Sequence, residues 1–137
     1  MANRENAVFT NLCMITQGDM VLVQDRKKPD WPGICFPGGH VEKGESFVGS
    51  VIREVYEETG LVIEDPVLCG TKQFQEDADT RYVVLFYKAS RFSGQLRSSD
   101  EGEVLKPAFT SALTFPTAKM LPLKATVLSR MTLLLLP

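Results

Sequence analysis

The sequence predicts an α+β domain, and two observations carry that prediction. Segments rich in β-formers are grouped before and after one helical segment, in the order β-β-β-loop-α-β-β-β, instead of alternating strand and helix. The helical segment has apolar residues at helical spacing and ends at a glycine. A length of 137 residues, with 44% hydrophobic and 23% charged side chains, is ordinary for one globular domain with a real core. The chain contains no internal repeat and no low-complexity linker.

Each element has its own local reason. Ala7 to Ile15 is rich in β-formers and reads as a strand. Gly18-Asp19 marks a turn, and Met20 to Asp25 reads as a second strand. Arg26 to Gly33 carries Pro29, Trp31 and Pro32 and reads as a loop, and Ile34 to Phe36 as a short strand. Pro37-Gly38-Gly39 opens a glycine-rich loop that runs to Gly44. The helix is expected from Ser46 to Thr59. Ser46 is its capping candidate, but Gly49 stands at N3, so no capping box forms. Leu61 to Glu64 reads as a short strand. Val67 to Gln75 and Arg81 to Ala89 read as two long strands joined by the acidic turn Glu76-Asp77-Ala78-Asp79. Ser93-Gly94 reads as a further turn, Glu101 to Leu105 as the start of another strand, and Thr126 to Leu136 as a helix apolar on most faces.

The helix is where chemistry first shows. Val48, Ile52 and Val55 recur at i, i+4, i+7 and are expected to face the core. Glu54, Glu57 and Glu58 recur at i, i+3, i+4 and share another face. As structure alone this is a poor arrangement. Like charges at i, i+4 cost a few tenths of a kcal/mol, on the order of 0.2–0.5. Glu57 and Glu58 also lie in the last turn before Gly60, where the helix dipole disfavours anions. Negative charge gathered against local preference points to a cation, and Mg2+ is a hard ion that takes carboxylate oxygens, waters and phosphates.

Charge and cysteine usage narrow the partners. A net charge of −2 gives no basic footprint for long nucleic acid. Cys13, Cys35 and Cys69 are odd in number and show no C-x-x-C spacing, as expected of packing thiols in a reducing cytoplasm. Met1 to Ala7 is polar, so no secretory leader is expected, and Leu133 to Leu136 is far too short to span a bilayer.

Gly39 to Leu61 reads GHVEKGESFVGSVIREVYEETGL, with the spacing G-x5-E-x7-R-E-U-x-E-E-x-G-U, where U is aliphatic. This resembles the Nudix box at every fixed position. The resemblance to the small MutT-like members runs from about Ala7 to Val104 and takes in Phe36 to Glu42 and Glu101 to Val104. It implies a mixed β-sheet between helices, an α/β/α sandwich, as one domain over residues 1–137. It implies Mg2+, with Mn2+ as the alternative ion, bound by Glu54, Glu57, Glu58, Glu103 and the carbonyl of Gly39. It leaves the general base open among these carboxylates. Arg53 is implied to pair with Glu45 or a neighbouring carboxylate and hold the cluster in position, while Gly38 and Gly39 let the backbone approach metal and phosphate. Asn11 and Phe74 are candidates to contact a base, and Trp31 and Tyr82 to stack on it. His40, a lone histidine without a ligand partner at suitable spacing, reads as loop structure.

After Val104 the likeness ends. No Asp or Glu follows Glu103, and Pro107, Pro116 and Pro122 interrupt the segment. A change of reading frame and true divergence both account for such a break, which puts the helix on one side of the sheet in doubt.

The reaction implied by the resemblance is Mg2+-dependent hydrolysis of a nucleoside triphosphate to monophosphate and pyrophosphate, with oxidised dGTP as the candidate substrate. Two alternatives stand beside it. One is hydrolysis of another diphosphate: ADP-ribose, a sugar nucleotide or an RNA 5′ end. The other is a nucleotide-binding domain without turnover. The expected partner is a small nucleotide, with no long nucleic acid and no membrane, in a monomer or a homodimer.

Overall fold

The computed structural model describes residues 3–18, 20–26, 33–97, 107–108 and 118–122. Within them the order is β1 (Asn6–Gln17), β2 (Met20–Arg26), β3 (Gly33–Cys35), α1 (Phe47–Thr59), β4 (Leu61–Glu64), β5 (Val67–Gln75), β6 (Thr80–Ala89), β7 (Arg91–Gly94), β8 (Pro107–Ala108) and β9 (Ala118–Pro122). The main sheet runs β5-β6-β1-β2-β9-β8, with β3 also on β2, and β4 and β7 form a separate pair. β1 and β6 are parallel from Asn6↔Thr80 to Ile15↔Ala89, while β5 pairs β6 and β2 pairs β1 antiparallel. The sheet is therefore mixed, and the fold is α+β as the sequence predicts. The second helical layer of a sandwich and the strand expected from Glu101 fall outside the described residues.

α1 starts and stops for local reasons. Ser46 has extended backbone and its Oγ accepts from the Gly49 amide at 2.9 Å, satisfying one of the first-turn donors. Gly60 is left-handed at φ 77°, and its N–H returns to the Tyr56 carbonyl. Only glycine adopts that φ cheaply, so the chain turns directly into β4.

The buried stripe of α1 differs from the expected one. Val51 and Val55 are fully buried, together with Ser50 and Thr59, whereas Ile52 is half-buried and Val48 is 46% exposed. The rotation follows from Ser50. Its small side chain lets the helix approach the sheet, and its hydroxyl accepts from Asn11 Nδ2 at 2.8 Å. Val51 and Val55 then meet Cys13 and Ile15 of β1, Leu22 of β2, Leu85, Tyr87 and Ala89 of β6, and Leu61 and Ile63 of β4. Alternation places Val21 and Val23 on the opposite face of β2, where they pack with Met14 and Phe36. Burial among these groups pushes the Cys13 thiol up to about 12, so it is an inert packing group.

Ser93-Gly94 closes a strand rather than forming a free turn. β7 pairs β4 from Leu61↔Gly94 to Glu64↔Arg91, and Phe92 packs against the core. Four residues carry too little alternation for this to be read locally.

Val55→Ala is expected to lower stability by about 2 kcal/mol through a buried cavity, and Val48→Ala to change it by less than about 0.5 kcal/mol. Urea midpoints at unchanged m-value check both, and the reverse order would contradict the observed helix rotation.

Candidate active site

The site begins with the glycine loop lying along β1. Cys13 N donates to Pro37 O at 2.8 Å, Asn11 N to Gly39 O at 2.8 Å, and Val41 N to Phe9 O at 2.9 Å. The β1 groups in these bonds belong to alternate residues, Phe9, Asn11 and Cys13, so the loop occupies the edge of β1 that β6 leaves open. Such contact leaves no room for side chains. A Cβ on Gly38 would overlap the Asn11 carbonyl, and one on Gly39 would sit 2.5 Å from the Glu54 carboxylate.

Arg53 gathers the acidic groups above this loop. Its Nε donates to Glu45 Oε1 at 2.7 Å and its Nη2 to Glu45 Oε2 at 3.0 Å, a two-point contact. Nη1 donates to Glu54 Oε1 at 2.9 Å and Glu57 Oε2 at 3.0 Å, and Nη2 also reaches the His40 carbonyl at 3.0 Å. One planar cation thereby ties three carboxylates to the loop, and the compact ammonium of lysine, with all its donors on one nitrogen, has no geometry for this. Hydrogen bonding to Arg53, helped by the Glu42 amide, holds the Glu45 carboxyl at about 2, well below its ordinary value. The same contacts push the Arg53 guanidinium up.

Glu58 points to another part of the loop. Its Oε2 accepts from the Gly38 amide at 2.8 Å and from Gln24 Nε2 at 3.2 Å. The exposed end of the loop meets a row of rings. The Tyr82 hydroxyl lies 3.2 Å from His40 Nε2, and the Phe74 ring stacks on Tyr82 with centroids 5.0 Å apart and planes 17° apart. Phe74 and Tyr82 are a cross-strand pair of β5 and β6, and Phe74 is exposed.

One expectation needs correction. Asn11 is fully buried, and its carboxamide joins Ser50 to the Gly39 amide (Oδ1 accepting at 3.4 Å), so it braces the loop and has no access to a base. The Gly39 carbonyl already accepts from Asn11 N and from Thr10 Oγ1 at 2.8 Å. These two bonds anchor the loop to β1. Trp31 and Glu103 lie outside the described residues. Thr10, Gln24 and Ser50 escaped the sequence reading because a polar residue in a strand or helix carries no local sign of the partner it meets.

The donor set suits a hard divalent cation, since Glu54, Glu57 and Glu58 offer carboxylate oxygens from one helix face beside a glycine loop. Among the described residues no three His, Cys, Asp or Glu side chains converge on one point. Glu54 and Glu57 turn to Arg53, and Glu58 turns to Gly38 and Gln24.

The NUDIX domain model matches residues 7–131. The chain belongs to the NUDIX domain family. It is 35% identical over 97 residues to the uncharacterized Nudix hydrolase YvcI of Bacillus subtilis (strain 168), covering 67% of this chain and 60% of that one. It is 32% identical over 94 residues to an ADP-ribose pyrophosphatase of Methanocaldococcus jannaschii, covering 66% and 54%. It is 29% identical over 126 residues to the human 8-oxo-dGDP phosphatase NUDT18, covering 89% and 36%. The match thus spans about 60% or less of these relatives' own lengths. A MutT NUDIX hydrolase structure from Burkholderia pseudomallei shares the fold, with a TM-score of 0.69, 21% identity, and coverage of 93% of this chain and 98% of that one. No helix among the described residues of this Nudix domain is long and apolar enough to cross a membrane.

The Glu45–Arg53 contact sets a pH dependence. The folded value of Glu45 lies near 2, below its ordinary 4.5. The stability it contributes is therefore full above about 4.5 and is lost as pH falls toward 2. The stability gap between wild type and Glu45→Gln is expected to shrink steadily on acidification through that window, read from urea midpoints at each pH. A gap that stays constant would contradict the contact.

Proposed function

We propose that this Nudix domain hydrolyses a diphosphate linkage in a small nucleotide with the help of a divalent cation, Mg2+ in the first place. One observation carries the reading: three carboxylates of α1 lie beside a glycine loop that Arg53 ties to them. Glu54, Glu57 and Glu58 would hold the cation. When bound, the ion would neutralise phosphate oxygens and acidify a water. The chain's own residues have separate tasks. Arg53 keeps Glu54 and Glu57 beside each other against their mutual repulsion. The bare Gly38–Gly39 backbone lets the loop lie directly against β1 and the Glu54 carboxylate. A carboxylate of the cluster takes the proton of the attacking water. The oxygen of that water joins phosphorus as the bridging P–O bond breaks, and the leaving phosphate carries away the bond's electron pair.

For the substrate we favour a nucleoside triphosphate, cut to monophosphate and pyrophosphate, with an oxidised guanine as the base. The Phe74–Tyr82 stack beside His40 supports a nucleobase, because its exposed ring offers a flat apolar face. The relation to a protein named for 8-oxo-dGDP supports an oxidised guanine. A second reading, ADP-ribose as substrate, is favoured by the archaeal relative named for that activity. The odd number and scattered spacing of Cys13, Cys35 and Cys69 accord with a reducing cytoplasm.

The test is phosphate and pyrophosphate release from a panel of dNTPs, 8-oxo-dGTP, 8-oxo-dGDP and ADP-ribose, with Mg2+ and with EDTA. Turnover that needs Mg2+, releases pyrophosphate from one triphosphate, and falls about 100-fold or more in Glu58→Gln is expected. Turnover of ADP-ribose alone would move the assignment to the second reading. Full activity in EDTA or in Glu58→Gln would refute the cation placement.

A further inference from the structure

Among the described residues, Gln24 reaches into the acidic site from the sheet, outside the helix and its loop. Gln24 lies on β2, on the same face as Leu22, and is only 4% exposed. Its Nε2 donates to Glu58 Oε2 at 3.2 Å, while its Oε1 is buried without a hydrogen-bond partner among the described residues. The orientation of the amide follows from chemistry, since a carboxylate accepts hydrogen bonds and only the NH2 end can supply one. A buried carbonyl oxygen left without a donor is a standing cost to the fold. An apolar side chain of similar length would avoid that cost in a strand whose neighbours Leu22 and Val23 are wholly core. Stability alone therefore gives no reason for a glutamine here.

We infer that Gln24 is a positioning residue for Glu58. The β2 amide and the Gly38 amide grip the same oxygen, Oε2, from two sides. Glu58 stands in the last turn of α1, where the helix dipole works against its charge and where a long side chain has free torsions. Two donors on one oxygen fix the plane of the carboxylate and leave its direction set by the sheet and the loop together. The sheet is the rigid partner, because β2 is paired by β1, β3 and β9. Outer partners of this kind change metal affinity or activity by about 10–100-fold when removed. The inference rests on the reading of Glu58 as a cation-binding carboxylate.

The experiment compares wild type, Gln24→Met, Gln24→Asn and Glu58→Gln in three readouts: urea midpoint, Mn2+ affinity by electron paramagnetic resonance, and kcat and KM on the nucleotide that wild type turns over. Gln24→Met removes both polar ends at nearly constant volume. It is expected to match or exceed the wild-type midpoint while its Mn2+ affinity or its kcat drops about 10–100-fold with little change in KM. A polar group kept for the fold would instead lose stability in step with activity, and that outcome overturns the inference. So does a Gln24→Met protein with wild-type kcat and Mn2+ affinity. Should the methionine variant not fold, Gln24→Asn, whose amide falls one carbon short of Glu58, is held to the same losses. Full activity in Glu58→Gln would defeat the underlying reading instead. Without turnover of any substrate, the Mn2+ titration still decides the role of Gln24.

Discussion

A single guanidinium makes this site possible. Glu54 and Glu57 repel each other along α1, and Glu45 arrives from the loop before the helix. Nothing in helical propensity would bring these groups together. Arg53 does so because its donors lie in one plane and point outward in several directions, taking two oxygens of Glu45, one each of Glu54 and Glu57, and the His40 carbonyl. That last bond links charge to fold. His40 follows Gly39 directly, so the position of the carboxylates and the position of the glycine loop are set by the same side chain.

The second constraint is closeness. Gly38 and Gly39 touch β1 and Glu54 so tightly that any side chain would collide with backbone or carboxylate. The loop is held there from below by Asn11 and Thr10 and from the helix by Glu58. Buried polar groups are costly unless satisfied, and here they satisfy one another: Asn11 meets Ser50 and Gly39, and Thr10 meets Gly39. The core beneath, Val51 and Val55 against β1, β2, β4 and β6, fixes the height of α1 over the sheet and with it the reach of its glutamates.

Much of this was legible from residue order alone. The strands β1, β2, β5 and β6, the helix, its Ser46 cap and its Gly60 stop follow from local pattern and turn chemistry, and the structure agrees with them within a residue or two. The acidic face and the partnership of Arg53 with Glu45 were legible because their spacing is set within one loop and one helix. What escaped depends on contacts between distant parts of the chain. The rotation of α1 that exposes Val48 is decided by the Ser50–Asn11 bond, 39 residues apart in sequence. The engagement of the Gly39 carbonyl by β1 and the approach of Gln24 to Glu58 are likewise tertiary. β7 exists because β4 pairs with it, not because four residues announce a strand. Asn11 illustrates the general point: polarity in a strand suggests a ligand contact, yet burial turns it into a brace.

The most direct test of the central role of Arg53 is Mg2+-dependent nucleotide turnover in Arg53→Lys, measured beside the helix content of the same protein. Lysine keeps the charge but has no fork. Turnover is expected to fall about 100-fold with α1 intact. Wild-type turnover in that variant would show that charge alone suffices and that the planar fork does not organise the site.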